Sequence, residues 1–134
     1  MNIKIMTISS SYEKFYKDAI AEYTKRLSRY CKLSLLEFKT KDQLLQKIST
    51  NDYKIQVFSD GINISSEDLS EKIKLLGLTG NSSVTMIIGI DDSLDVDESL
   101  SLSQMKMSIP LEVTVLLEQI YRAYRILNNQ AYHK

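Results

Sequence analysis

Ser83-Val84-Thr85-Met86-Ile87-Ile88-Gly89 is a short, nearly unbroken apolar run closed by a glycine. A strand with one wet face alternates apolar and polar residues. A run like this one suits a strand covered on both faces, as in a parallel sheet. The glycine at its end permits the backbone to approach a ligand closely, and is equally compatible with an ordinary turn.

Working outward, strand and helix patterns alternate along the chain. Ile3, Ile5 and Ile8 predict a first strand, closed by Ser9-Ser10-Ser11, with Ser10 and Glu13 at capping-box spacing. Tyr12, Phe15, Tyr16, Ala19, Ile20, Tyr23 and Leu27 then recur at helical intervals. Leu33–Phe38 predicts a second strand, and Thr40 with Gln43 opens a short helix to about Ile48. Tyr53–Phe58 predicts a third strand, ended by the turn signal Ser59-Asp60-Gly61. Ser65 and Ser66 cap a helix carrying Leu69, Ile73 and Leu76, with Gly77 and Gly80 at its exit. After the central run comes an acidic stretch, Asp91-Asp92 and Asp95 to Glu98, expected as a brief helix or a loop. Leu100–Met107 alternates weakly and is expected as a fifth strand. Pro110 precedes a last helix with Val113, Leu116, Leu117, Ile120, Tyr124 and Leu127 toward the core, and Glu118 paired with Arg122 elsewhere on it. The expected class is α/β, one domain over residues 1–134, with a mostly parallel sheet flanked by helices.

At 43% apolar and 25% charged residues the composition is globular rather than disordered. Seventeen bases balance seventeen acids, which gives no overall sign of a nucleic-acid partner. The distribution is uneven: residues 1–50 hold ten bases against five acids, and residues 51–110 four against ten. A basic face toward RNA is compatible with that split, and so is a plain solvated surface. The single cysteine, Cys31, has no internal disulfide partner and suggests a reducing compartment. No apolar run approaches the ~20 residues of a membrane span. The opening MNIKIMTISS reads as a strand rather than a signal peptide, so a cytoplasmic protein is expected.

In parallel sheets ligands sit beyond the carboxyl ends of strands. That singles out Ser59–Gly61, Gly89–Asp92 and the residues after Leu102. Neither a dinucleotide-binding glycine motif nor a P-loop is present. One histidine and one cysteine make the usual protein-only zinc site improbable. That histidine, His133, lies in Ile120–Lys134, IYRAYRILNNQAYHK, where a helical pattern gives way to a polar turn and a phenol, an imidazole and an ammonium in succession.

Four blocks in order resemble one family: KDAIAEYTKRLSRYCKLSLLEF (Lys17–Phe38), VTMIIG (Val84–Gly89), LSLSQM (Leu100–Met105) and LLEQIYRAYRILNNQAYHK (Leu116–Lys134). They are similar to the small SPOUT-class methyltransferases that N3-methylate a pseudouridine in helix 69 of large-subunit ribosomal RNA, the RlmH family. The resemblance covers essentially the whole chain. It implies an α/β-knot fold with a C-terminal trefoil knot, a homodimer, S-adenosylmethionine as cofactor and ribosomal RNA in the assembled ribosome as substrate, with no metal and no membrane. It also implies cofactor-binding positions at Val57, Gly89, Leu102, Ser103, Gln104, Met105, Lys106 and Met107. His133 would handle the N3 proton, Tyr132 would stack on or hydrogen-bond the base, and Arg122, Arg125 and Lys134 would contact RNA phosphate.

The chain departs from the family at two places. Where members have GG-x-x-G, it reads Gly89-Ile90-Asp91-Asp92-Ser93, and where they carry Pro-His and then an arginine it reads Ser108-Ile109-Pro110-Leu111 with Val113-Thr114. The middle of the N-terminal half is also short. These departures motivate a second reading, a catalytically degenerate paralogue that binds RNA or a ribosomal partner without methyl transfer.

Overall fold

The computed structural model describes residues 1–132; His133 and Lys134, two of the expected site residues, lie outside them. In chain order the elements are β1 (Asn2–Ile8), α1 (Lys14–Leu27), β2 (Lys32–Phe38), α2 (Lys41–Gln46), β3 (Tyr53–Asn63), α3 (Ser66–Leu78), β4 (Ser83–Ile88), β5 (Glu98–Ser101) and α4 (Ile109–Leu127). The five strands form one sheet in the order β2-β1-β4-β3-β5, and every pairing is parallel. The apolar run Ser83–Ile88 is thus a central strand, and Val84, Met86, Ile87 and Ile88 are all buried.

Two cores explain why that run does not alternate. On one face α1, α3 and α4 pack together and cover Ile3, Ile5, Ile55, Val57, Met86 and Ile88. On the other, Met6 and Ile87 meet Leu44 of α2 and Ile90. α4 supplies most of the larger core through Val113, Leu116, Leu117, Ile120 and Ala123. Local signals agree with the tertiary ones. Ser65 and Asp68 form a reciprocal capping box on α3, and Thr40 accepts from the Gln43 amide at the start of α2, each typically worth ~1 kcal/mol.

Four expectations need correction. Ser10 and Glu13 form no capping box: α1 begins one residue after Glu13, which is itself the N-cap residue and whose carbonyl accepts from Tyr16 and Lys17. Gly77 lies inside α3, and only Gly80, in the left-handed region at φ 83°, marks the exit. The fifth strand is the four residues Glu98–Ser101, because Ser101 Oγ turns onto the Ser103 carbonyl and the chain leaves the sheet. Ser59-Asp60-Gly61 does not end β3. The strand continues to Asn63 with a slip in register, so that Val57 and Ile62 both face Leu100 of β5. A Cβ on Gly61 would stand 2.4 Å from the Leu100 carbonyl carbon. Glycine is there for backbone-to-backbone approach rather than for a chain reversal.

A buried charge locks the amino end of the sheet. Asp52 Oδ2 accepts from Lys4 Nζ at 3.0 Å and from Thr85 Oγ1 at 2.8 Å. Burial alone would raise its carboxyl, but the Lys4 ammonium and the hydroxyls around it outweigh burial and hold it below the ordinary value.

Candidate active site

The carboxyl ends of β3, β4 and β5 gather three segments at one edge of the sheet: the slipped part of β3, the loop from Gly89, and residues 102–108 leading into α4. Val57, Ile64, Leu69, Met86, Leu100, Leu102 and Leu116 wall an apolar slot between the sheet and the helices α3 and α4, with Ser65 and Gln119 at its polar points. Its volume is about 20 Å³. A small-molecule site occupies roughly 300 Å³ or more, so a ligand must displace part of this wall. Two of the expected cofactor positions, Val57 and Leu102, therefore line one cavity. Gly89 stands at the end of β4 with φ 95°, and a Cβ there would come within 3.1 Å of Ile109 Cδ1 and 3.4 Å of Thr7 Oγ1. The position is closed to a side chain on grounds of both conformation and space.

The residue after Gly89 does not fill the slot. Ile90 is buried in the cluster with Met6, Leu44 and Ile87, on the α2 face of the sheet. Its bulk is spent on the opposite side. Gln56, fully buried and not anticipated from sequence, fixes this loop. Its amide nitrogen donates to the carbonyls of Ile90 (3.0 Å) and Asp92 (2.7 Å), and its oxygen accepts from the Leu94 amide (2.9 Å). A buried glutamine facing a strand end is the signal that could have revealed it, since such a group must find partners.

The 102–107 segment is built differently. Met105 N donates to Ser103 Oγ, and Lys106 Nζ reaches Asp91 Oδ2 at 2.8 Å across to the Gly89 loop. That ion pair is exposed on both sides, so it contributes little to stability. Ser103, Gln104, Met105, Lys106 and Met107 thus face the edge with few ties to the protein body, and Met105 is 79% exposed.

Glu112, in the first turn of α4, lies beside this edge. Burial and the negative charge of Asp91 push its carboxyl up to about 7. Between the ordinary value of 4.5 and about 7, the folded protein holds a proton that the unfolded chain has lost. Stability therefore falls with rising pH across that window. Glu112→Gln is expected to remove this fall. Its urea midpoint should exceed that of the parent chain at about pH 8 and match it at about pH 4.

Tyr132 and the two arginines lie along α4. Asn129, at φ 53°, turns the chain back after the helix, and Gln130 N donates to the Arg125 carbonyl at 2.8 Å. Arg125 then holds the tail, donating to the Ala131 carbonyl at 2.8 Å and to Tyr30 Oη at 3.3 Å. Tyr132 Oη donates to Glu118 Oε1 at 3.0 Å, its ring lies under the Arg122 guanidinium at 4.8 Å, and Tyr121 meets it edge-on at 5.1 Å. The expected Glu118–Arg122 pair is present at 3.3 Å. Burial, with the hydrogen bonds to Tyr23 and Glu118, raises the Tyr132 phenol, so it remains a neutral donor at physiological pH. Both guanidiniums serve the tail from within the chain, a role that their spacing did not reveal.

Among the described residues no group of His, Cys, Asp and Glu could hold a metal ion, and no helix is long and apolar enough to cross a membrane. A family model described as "Predicted SPOUT methyltransferase" matches residues 1–133. The ribosomal RNA large subunit methyltransferase H 1 of Thermoanaerobacter sp. (strain X514) is 45% identical over 134 residues, covering all of both chains. A ribosomal RNA large subunit methyltransferase H of Clostridium botulinum (strain Alaska E43 / Type E3) is 41% identical over 161 positions, and one of Clostridium perfringens (strain SM101 / Type A) 38% over 159, again with complete coverage of both chains. The Thermoanaerobacter alignment is as long as the chain itself, so its shortness is shared by a relative. With a parallel sheet whose carboxyl edge carries the candidate site, and a match over nearly its full length, the chain belongs to the SPOUT methyltransferase family.

Proposed function

We propose that the protein transfers a methyl group from S-adenosylmethionine to N3 of a pseudouridine in helix 69 of large-subunit ribosomal RNA, as a cytoplasmic homodimer. The observation that carries this reading is that Val57 and Leu102 line one slot near the carboxyl ends of the strands, the same end at which Gly89 closes β4. Their chemistry fits the cofactor. An apolar slot suits a purine. The weakly tied 102–107 segment offers main-chain groups for hydrogen bonding and can yield to make room. Ile90, the departure that would have obstructed such a site, is turned to the other face. Val57, Gly89 and residues 102–107 would hold the cofactor. When bound, it supplies a methyl group already activated by its sulfonium.

The protein's part is placement and one proton. His133 would accept the N3 proton as the new bond from N3 to the methyl carbon replaces the methyl–sulfur bond, leaving S-adenosylhomocysteine as the neutral thioether product. Tyr132 contacts the base as a neutral donor, Lys134 binds a phosphate, and Arg122 and Arg125 orient the tail that carries these groups toward the RNA. Tyr132 meets Glu118, nine residues along α4 from the Ile109 that packs on Gly89, a rise of about 14 Å. The two residues that follow it extend the chain by at most ~7 Å. This favours a dimer in which the tail of one protomer serves the loops of its partner. Ile62, Met105 and Leu111, exposed around those loops, suit burial by a second copy. The trefoil knot belongs to the same reading and rests on the family resemblance.

Calorimetry with S-adenosylmethionine should give a Kd in the micromolar range or tighter, about −8 kcal/mol. No binding at millimolar cofactor would overturn the cofactor assignment. Ribosomes from a strain lacking its own enzyme should accept the methyl group. Cofactor binding without product would favour the degenerate, binding-only paralogue instead.

A further inference from the structure

Resting on the RNA reading above, we propose that the corner where α1 turns into β2 is a docking surface for the RNA phosphate backbone, formed by Lys25, Arg29 and Lys32. From Tyr23 to Leu36 the chain carries Lys25, Arg26, Arg29 and Lys32 and no acid. The adjacent acid, Glu22, is committed to Arg26 at 2.9 Å. Lys25, Arg29 and Lys32 are exposed and take part in no ion pair of the described residues. The net charge of the molecule is zero, so this concentration of one sign is a local field rather than a global one.

The surface has a shape as well as a sign. Thr24, Ser28, Arg29 and Lys32 rim an open hollow of about 520 Å³ with Cys31 at its floor. Lysines and an arginine beside hydroxyls, with no acid to compete, are the donor set that phosphate oxygens take up. The hollow is broad and open, which suits a polyanion crossing it better than a small enclosed ligand. It is also tied to the tail. Tyr30 donates to Gln130 and accepts from Arg125, so hydrogen bonds join the corner to the tail. RNA held with its nucleoside at the tail would run its backbone across this corner, about one α4 helix away from the cofactor loops.

The test is the salt dependence of binding. Fluorescence anisotropy would be measured with a transcribed large-subunit stem-loop RNA between about 50 and 200 mM salt. Each phosphate contact contributes roughly 0.7–0.9 to the slope of log K against log salt. The variant Lys25→Gln/Arg29→Gln/Lys32→Gln should lower that slope by about 2 and weaken binding tenfold or more at low salt. Its calorimetric affinity for S-adenosylmethionine should be unchanged, and with ribosomes KM should rise while kcat holds. Lys47→Gln/Lys74→Gln, which removes one charge just after α2 and one on α3, should leave the slope as it was. An unchanged slope in the triple variant overturns the assignment. So does weaker ribosome binding with normal RNA binding, which would point to an acidic ribosomal protein. If the parent chain itself bound cofactor but no RNA at any salt, the RNA substrate would fail first and this surface with it.

Discussion

Gly61→Ala is expected to destabilise the fold by about 3 kcal/mol or more, lowering Tm by on the order of 10 °C. The added Cβ would lie 2.4 Å from the carbonyl carbon of Leu100 and 2.5 Å from its oxygen. Both are backbone atoms of a paired strand and have no rotamer to yield. Relief requires β5 to move, and β5 carries Leu100 and leads directly into residues 102–107. Cofactor affinity should therefore fall with stability. Gly77→Ala is the matched control. Its nearest neighbour is the Met1 Cε at 3.9 Å, and it lies within α3, so alanine should gain up to ~1 kcal/mol of helix propensity there. Thermal melts of the two variants should move in opposite directions. Equal, small shifts would show that the β3–β5 crossing is looser than described.

His133→Ala is expected to lower methyl transfer ~100-fold or more while leaving calorimetric affinity for S-adenosylmethionine nearly unchanged. The separation matters because the two halves of the proposed site lie on different parts of the chain. In the proposed reading the cofactor positions belong to the strand ends, and the proton acceptor belongs to the tail. Full activity in the variant would remove His133 from the chemistry. A parallel loss of cofactor binding would place the tail over the cofactor instead of the base. In a mixed dimer, a protomer carrying His133→Ala and another carrying a disrupted 102–107 segment should restore one working site if the tail acts on the partner.

Much of this architecture was legible in the residues because local and tertiary signals agree. The Ser65 cap, the Thr40 cap and the unbroken Ser83–Ile88 run each predict what forms. Gly61 shows where legibility ends. A glycine after serine and aspartate reads as a reversal, yet the same residue also serves wherever two backbones touch, and only the partner strand distinguishes the two. Ile90 is a similar case. As a replacement for a glycine it suggests a blocked loop, but which face its side chain takes depends on Leu44 and Met6, far away in sequence. Arg122 and Arg125 read as surface charges on a helix. Their work on Tyr132 and Ala131 depends on the tail folding back, which Asn129 permits without announcing the direction.

The anchoring of Ile90 and Gln56 has a kinetic consequence. At the carboxyl ends of the strands the Gly89 loop is bolted from the far face of the sheet and tied by buried hydrogen bonds, whereas the 102–107 segment is held mainly by an exposed ion pair. An entering ligand meets a preorganised jaw and a compliant one, so the ordering entropy of binding falls on a single segment. Capture should then be gated by the outward swing of that segment. The association rate would rise when Lys106→Gln loosens the latch, and the dissociation rate would rise with it, leaving equilibrium affinity nearly constant while residence time shortens.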